Sequence, residues 1–87
     1  MDFKQLKYFT RIAELGNMTR ASETLRIAQP ALSQQIANLE AELETRLFDR
    51  SAQGVKTTSA GEVLYRHAKS LLKQFEDARI AVSHESD

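Results

Sequence analysis

TRASETLRIAQPALSQQIANL, residues 19–39, holds two helical patterns separated only by the short connection 27–29. Thr19 is predicted to cap the first of these helices, which runs over about residues 20–26. Pro30 lies at the start of the second helix, where the missing N–H of proline costs nothing. Two helices joined so closely are typical of a helix-turn-helix.

The second of these helices divides into an apolar and a polar face. The apolar face carries aliphatic side chains at helical spacing and is predicted to lie in the core: Leu32, Ile36, Leu39 and Leu43. At 100° per residue, the opposite face carries Pro30, Ser33, Gln34, Ala37 and Asn38. The chain has no acidic residue between Glu23 and Glu40, so this polar face is free of negative charge.

The flanking sequence predicts a mainly α fold. Residues 3–15 form an amphipathic helix, with Asp2 as its N-cap and Gly16 as its left-handed stop. Residues 47–50 and 55–58 read as two short strands around a polar turn at 51–54, in which Gly54 supplies a positive φ. These elements predict a three-helix winged helix-turn-helix with a two-stranded β-wing, followed by a long C-terminal linker or dimerisation helix.

The long helix is predicted to begin after Thr58 or Ser59 and to end near Ser83. It carries an apolar stripe with a heptad spacing, which consists of Leu64, Ala68, Leu71, Phe75, Ala78 and Val82. The stripe could pack on the first helix of the same chain. We favour a partner helix, because a helix of this length exceeds what so small a core can cover.

The composition limits the possible functions. The 87 residues include 12 Lys and Arg, 12 Asp and Glu, and no Cys, which suits one small domain without disulfides or thiolate metal sites. The N-terminus is charged and no stretch reaches membrane-spanning length, so a cytoplasmic protein without membrane contact is expected. The zero net charge restricts any DNA-binding surface to a local patch.

Nothing in the sequence indicates an enzyme. His67 and His84 are the only imidazoles, and neither has a companion at the spacing of a catalytic triad or a metal site. No glycine-rich phosphate loop is present. We therefore expect no catalytic residue, no metal and no cofactor.

The chain resembles the N-terminal DNA-binding domain of LysR-type transcriptional regulators. The resemblance extends over essentially the whole sequence, and its motifs occur in the order found in the family. They are Leu6-Lys7-Tyr8-Phe9, Thr19-Arg20-Ala21, Ala28-Gln29-Pro30-Ala31-Leu32-Ser33-Gln34-Gln35-Ile36, Leu39-Glu40, Leu43, Leu47-Phe48-Asp49-Arg50 and Thr58-Ser59-Ala60-Gly61. Within the family, residues 27–35 and 64–68 look most like the nitrogen-assimilation-control regulators.

The resemblance implies which residues contact DNA. It assigns base and phosphate contacts to Gln29, Pro30, Ser33 and Gln34, and the exposed helix face adds Asn38, because glutamine and asparagine can pair with adenine. A phosphate at the helix N-terminus near Thr19 and Arg20 is compatible with the dipole of that helix. Arg50 and Lys56 of the wing are expected to contact phosphates or the minor groove. Many relatives carry arginine at the wing tip, where this chain has Gln53.

The resemblance also implies the larger assembly. Residues 1–58 would form the winged helix-turn-helix and residues 59–87 the linker helix, which pairs two subunits on inverted-repeat promoter sites. A C-terminal effector-binding domain, which would respond to a small molecule, lies outside this chain. The alternative is a winged-helix scaffold whose third helix docks a protein. Neutral charge favours that alternative, whereas the acid-free helix face favours DNA.

Overall fold

The computed structural model describes residues 1–85, and in that part of the chain four helices and one hairpin form a winged helix-turn-helix. The predicted fold class is therefore confirmed. The elements in chain order are α1 (Phe3–Leu15), α2 (Met18–Leu25), α3 (Gln29–Leu43), β1 (Phe48–Ser51), β2 (Gly54–Thr57) and α4 (Ser59–Glu85). The predicted linker segment 59–87 ends with residues 86–87, which lie outside the described residues.

Both ends of α1 are as predicted. The side chain of Asp2 accepts a hydrogen bond from the Gln5 backbone N–H at 2.8 Å. The Gln5 side chain accepts one from the Asp2 backbone N–H, which completes a capping box. Gly16 ends the helix in the left-handed conformation, with a φ of 64°.

The predicted cap of α2 is wrong. Asn17, not Thr19, is the N-cap, and its side-chain oxygen accepts a hydrogen bond from the Arg20 N–H at 2.9 Å. Asparagine caps helices at least as well as threonine. Beginning the helix at residue 18 also lets Met18 turn into the core, and it leaves Thr19 exposed in the first turn.

The core lies where α1, α2 and α3 meet the base of the hairpin. Its fully buried large side chains are Phe9, Ile12, Leu32, Ile36, Leu39, Leu47 and Phe48. The rings of Phe9 and Phe48 lie 5.1 Å apart and so join α1 to β1. Leu43 departs from its predicted core position. It is the last residue of α3 and is 36% exposed, because the helix has passed the edge of this small core.

The hairpin is held against the helices by backbone contacts. β1 and β2 are antiparallel, one residue displaced from the predicted bounds, and Arg50 is paired with Val55. Val55 donates its N–H to the Gly16 carbonyl at 3.1 Å. Gly54 has the predicted positive φ, at 126°, and a Cβ there would lie only 2.6 Å from the Gly16 oxygen. Glycine is therefore required at this position.

The first half of α4 packs on its own chain, which corrects part of the predicted dimer stripe. Thr58 caps the helix by accepting a hydrogen bond from the Gly61 N–H at 3.0 Å. Ala68 is fully buried within the single chain, and Leu64 is half-buried against the core. α4 lies along α1 over this part of its length. For these two residues, packing on the first helix of the same chain, the alternative we did not favour, is therefore what the structure shows.

Candidate nucleic-acid interface

Three separate elements meet around one shallow cleft. Thr19 comes from the first turn of α2, Gln29 is the first residue of α3, and Arg50 and Gln53 belong to the wing. The cleft forms because the Val55 N–H bonds to Gly16, which draws the hairpin toward the start of α2. Four residues named from the sequence are thereby brought to one surface.

The exposed face of α3 is as predicted. Pro30, Gln34 and Asn38 are exposed, and Ser33 is half-buried beside the wing. Gln34 Nε2 donates a hydrogen bond to Asn38 Oδ1 at 2.9 Å. The face therefore presents hydroxyl and amide groups, which can donate and accept hydrogen bonds at base edges.

The two faces of the wing carry different charges. Residues paired across an antiparallel hairpin share a face, so Arg50 lies with Val55, which packs toward the core. Arg50 Nη1 donates to Ser33 Oγ at 3.4 Å, which places the guanidinium beside α3. Lys56 is paired with Asp49 on the other face and does not line the cleft.

The starts of α2 and α3 both favour an anion. Neither helix has an acidic residue in its first turn. Asn17 satisfies one free N–H group of α2, whereas Ala28, the N-cap of α3, offers no side-chain acceptor. The N–H groups at the start of α3 and the positive end of its dipole therefore remain available for a phosphate. Arg20 and Arg50 are both exposed and add positive charge.

Two polar side chains that line the cleft, Asn17 and Ser51, were not predicted as site residues from the sequence. Asn17 lies there because it caps α2, and Ser51 lies there because the hairpin turn folds over the start of that helix. Ser51 Oγ accepts a hydrogen bond from the Gln53 N–H at 3.3 Å, which stabilises the turn. The Gly16-Asn17 pair was a usable signal, since asparagine after a left-handed stop suits a cap.

The second half of the predicted stripe is exposed. Leu71 is 44%, Phe75 53% and Val82 70% exposed, and Ala78 is also exposed. The ring of Phe75 stacks on that of Phe3 in α1, with centroids 4.3 Å apart. An apolar groove lies between the two helices. It is lined by Met1, Phe3, Leu6, Leu71, Leu72 and Phe75.

Within residues 1–85, no cluster of His, Asp and Glu side chains could hold a metal ion. The two histidines, His67 and His84, are both exposed on α4. In the same part of the chain, the helices fall short of the combination of length and apolar character that crossing a membrane requires.

Comparison with known proteins identifies relatives of this arrangement. Residues 3–62 match the family described as bacterial regulatory helix-turn-helix protein, lysR family. The chain is 52% identical over 82 residues to the nitrogen assimilation regulatory protein nac of Escherichia coli (strain K12). That match covers 94% of this chain and 27% of the regulator, and it agrees with the subgroup expected from the sequence. The chain spans little more than a quarter of the length of such curated relatives.

Solved structures show the same fold. The DNA complex of the BenM DNA-binding domain with catB site 1 superposes with a TM-score of 0.97 at 37% identity, covering 100% of this chain and 97% of that one. The DNA complex of the CbnR DNA-binding domain gives a TM-score of 0.94 at 34% identity, with full coverage of both chains. The fold of the present chain is therefore one that binds DNA in both of those proteins.

Proposed function

The chain belongs to the LysR family of bacterial regulatory helix-turn-helix proteins, and from that premise we propose that it binds specific DNA sequences through α3 and the cleft beside it. One observation carries the proposal. The acid-free starts of α2 and α3 and the Arg50 guanidinium converge on one surface, next to an exposed row of amide and hydroxyl groups. Phosphates bind positive charge and free N–H groups, whereas base edges form hydrogen bonds with amide and hydroxyl groups.

In the proposed mechanism, α3 enters the major groove with its N-terminus first. Gln29, Pro30, Ser33 and Gln34 lie against base edges and the adjacent backbone. Thr19 and Arg20 contact phosphates on one side of the helix, and Arg50 contacts the backbone on the other side. Lys56 lies on the outer face of the wing, so its contact would be with a phosphate beyond the cleft.

We propose further that two copies pair through the exposed part of the α4 stripe, so that two α3 helices bind the halves of an inverted repeat. In a full-length regulator, a small-molecule effector would act through a domain outside these 87 residues. The protein would work in the bacterial cytoplasm, where promoters are, as a binding protein and not as a catalyst.

The test is a titration of the chain against an A·T-rich inverted repeat and against random duplex DNA at several salt concentrations. The parent should bind the specific site more tightly than random DNA, and log K should fall linearly with log salt. Replacing both Ser33 and Gln34 by Ala should weaken specific binding by about 1–3 kcal/mol per base-contacting residue. Random binding should change little, because it depends on phosphates.

The matched control replaces Ser70 and Gln74 by Ala, the same residue types on the exposed surface of α4. This double variant should bind the specific site like the parent. If the Ser33 and Gln34 double variant also binds like the parent, α3 does not contact bases. If the parent does not distinguish the specific site from random DNA, the polar face of α3 serves another partner and the proposal fails.

A further inference from the structure

The exposed face of α3 contains one hydrogen bond between two side chains that both lie outside the core. Gln34 Nε2 donates to Asn38 Oδ1 at 2.9 Å, and both residues are exposed. Residues four apart are neighbours on a helix, and helical side chains lean toward the N-terminus, so Asn38 reaches back over Gln34. Because both side chains are exposed, this bond satisfies no buried group of the core, and what it determines is the orientation of the Gln34 amide.

That orientation leaves Gln34 with a defined pair of groups. A glutamine amide has two N–H donors and one carbonyl oxygen, and Asn38 occupies one of the donors. One N–H and the Oε1 acceptor therefore remain, and they can bind one base together when the remaining N–H lies on the same side of the amide as Oε1. In the major groove adenine presents the N7 acceptor beside the N6 amino donor, whereas guanine presents two acceptors, N7 and O6. The remaining groups of Gln34 complement adenine, and Oε1 would face the O6 of guanine unfavourably.

We propose that Asn38 is a positioning residue, which fixes the amide of Gln34 so that it selects adenine over guanine at one position of each half-site. This inference rests on the proposed DNA-binding function. Asn38 lies about 6 Å further along the axis of α3 than Gln34, given a rise of about 1.5 Å per residue. Since the N-terminal part of the helix contacts the bases, Asn38 acts through Gln34 and not on a base of its own.

The experiment selects binding sites for the chain from a pool of random duplexes and then measures affinities with adenine or guanine at each selected position. In the parent, one position should prefer adenine by about 5- to 150-fold, the discrimination expected of a bidentate contact. Gln34→Ala should abolish that preference. Asn38→Ala should lower the adenine-to-guanine ratio at the same position by about 3-fold or more, since residues joined in one hydrogen-bond network couple by about that much.

A conservative variant separates positioning from direct contact. Asn38→Asp keeps an oxygen that can accept from Gln34 Nε2 but removes the two side-chain donors of Asn38. The adenine-to-guanine ratio should therefore stay near that of the parent, while overall affinity falls because the added charge repels phosphates. A direct contact through the Asn38 amino group would instead be lost in this variant. Gln74→Ala on α4 is the control and should change neither the ratio nor the affinity.

Two results would overturn the role of Asn38 while leaving the DNA-binding function intact. One is an unchanged adenine-to-guanine ratio in Asn38→Ala, and the other is a change in base preference at a position that Gln34 does not govern. A Gln34-dependent position that prefers guanine would overturn the adenine assignment itself. A parent chain that selects no sequence from the pool would refute the DNA-binding function, and the inference on Asn38 with it.

Discussion

Gly61 is a residue at which helix propensity and packing favour different side chains. Helix propensity favours alanine there, whereas packing leaves no room for a Cβ. Gly61 lies in the first turn of α4 and is buried, and a Cβ there would overlap the Leu47 carbonyl oxygen and lie 3.2 Å from Thr57 Cβ. Alanine favours a helix over glycine by about 1 kcal/mol. The overlap involves backbone, which cannot move aside without shifting α4 away from the wing. We therefore expect the packing cost to exceed the gain in propensity.

Gly61→Ala should lower the free energy of unfolding by about 1–3 kcal/mol, the usual cost of overpacking. Urea denaturation followed by circular dichroism measures the change. Ser70→Ala, on the exposed surface of the same helix, should leave stability unchanged or slightly higher. A Gly61→Ala variant as stable as the parent would show that α4 can shift freely relative to the wing.

The cap of α2 and the position of Arg50 could not be predicted from the sequence alone. Asn17 and Thr19 are both good helix caps. Which of them caps α2 depends on whether Met18 is buried, and that is a property of the assembled core. The polar face of α3 follows from helical periodicity alone, so Gln34 and Asn38 were predictable. The approach of Arg50 to Ser33 was not, because it depends on how the hairpin packs on the helices.

At the scale of elements, Glu40 joins α3 to the wing. Its side chain is only 16% exposed, and Oε2 accepts hydrogen bonds from the N–H groups of Leu47 at 2.7 Å and Phe48 at 3.3 Å. Arg46 Nε lies 3.7 Å from the same oxygen. The carboxylate satisfies two backbone donors at the point where the chain turns from α3 into β1, and so it fixes the wing relative to α3.

Glu40→Ala should destabilise the fold by about 1–3 kcal/mol, because it leaves buried donors without a partner. The free energy of unfolding in urea measures this. Glu42→Ala is the control on the same helix, since Glu42 is 52% exposed and pairs with the terminal amine. Its effect should stay below about 1 kcal/mol. Equal effects of the two substitutions would mean that Glu40 is an ordinary surface carboxylate.

A second polar contact joins α1 to α4 and responds to pH. Glu14 Oε2 accepts hydrogen bonds from Tyr65 Oη at 2.8 Å and Lys69 Nζ at 3.0 Å. Burial alone would raise the pKa of Glu14, but the hydrogen bonds from Lys69 and Tyr65 outweigh it and hold that pKa below its ordinary value of 4.5. The contact therefore contributes stability above pH 4.5 and loses it as the pH falls through the folded-state pKa.

Glu14→Gln should accordingly lower the free energy of unfolding at pH 7 by about 0.5 kcal/mol, a modest value because the site is solvent-exposed. The difference from the parent should shrink as the pH falls through the folded-state pKa of Glu14, because the parent carboxylate also becomes protonated there. Denaturation of both proteins at each pH measures it. A difference that persists unchanged into acid would mean that the charge of Glu14 is not responsible.

The six predicted elements all exist, because each has a clear period or turn signal in the sequence. The periodicity of a sequence does not show which surface packs against an apolar face. Leu64 and Ala68 have the same heptad spacing as Leu71 and Phe75, yet the first pair is covered by its own chain, whereas the second pair stays about half exposed beside α1. The difference follows from the size of the core.

At the scale of the whole molecule, α4 makes the chain elongated, with extents of 51 × 25 × 20 Å. Its 27 residues span about 40 Å at a rise of about 1.5 Å per residue, so the second half extends past the core. Exposed Leu71 and Phe75 lie on this half and continue onto Phe3 of α1. An apolar surface of this kind, formed by two helices, suits the proposed contact with a second copy.

Leu71→Lys tests that contact. The residue is 44% exposed in the single chain, so a lysine there should leave the core folded. In a dry contact between helices, however, an unpaired charge costs several kcal/mol. We expect the parent to sediment as a dimer and the variant as a monomer. Binding to one half-site should be unchanged, whereas binding to an inverted repeat should fall by about 10²- to 10⁴-fold, the gain that simultaneous engagement can supply.

Ser70→Lys is the control for Leu71→Lys, because it places the same charge on the neighbouring exposed position of α4, outside the predicted stripe. It should remain a dimer and keep its affinity for the inverted repeat.

The dimer also predicts that affinity depends on half-site spacing, with an optimum near one helical turn of DNA or a multiple of it. Leu71→Lys should lose this dependence, since a monomer binds each half-site independently. A monomeric parent, or a Leu71→Lys dimer as stable as the parent, would mean that the exposed half of α4 does not pair two copies and does not set the spacing.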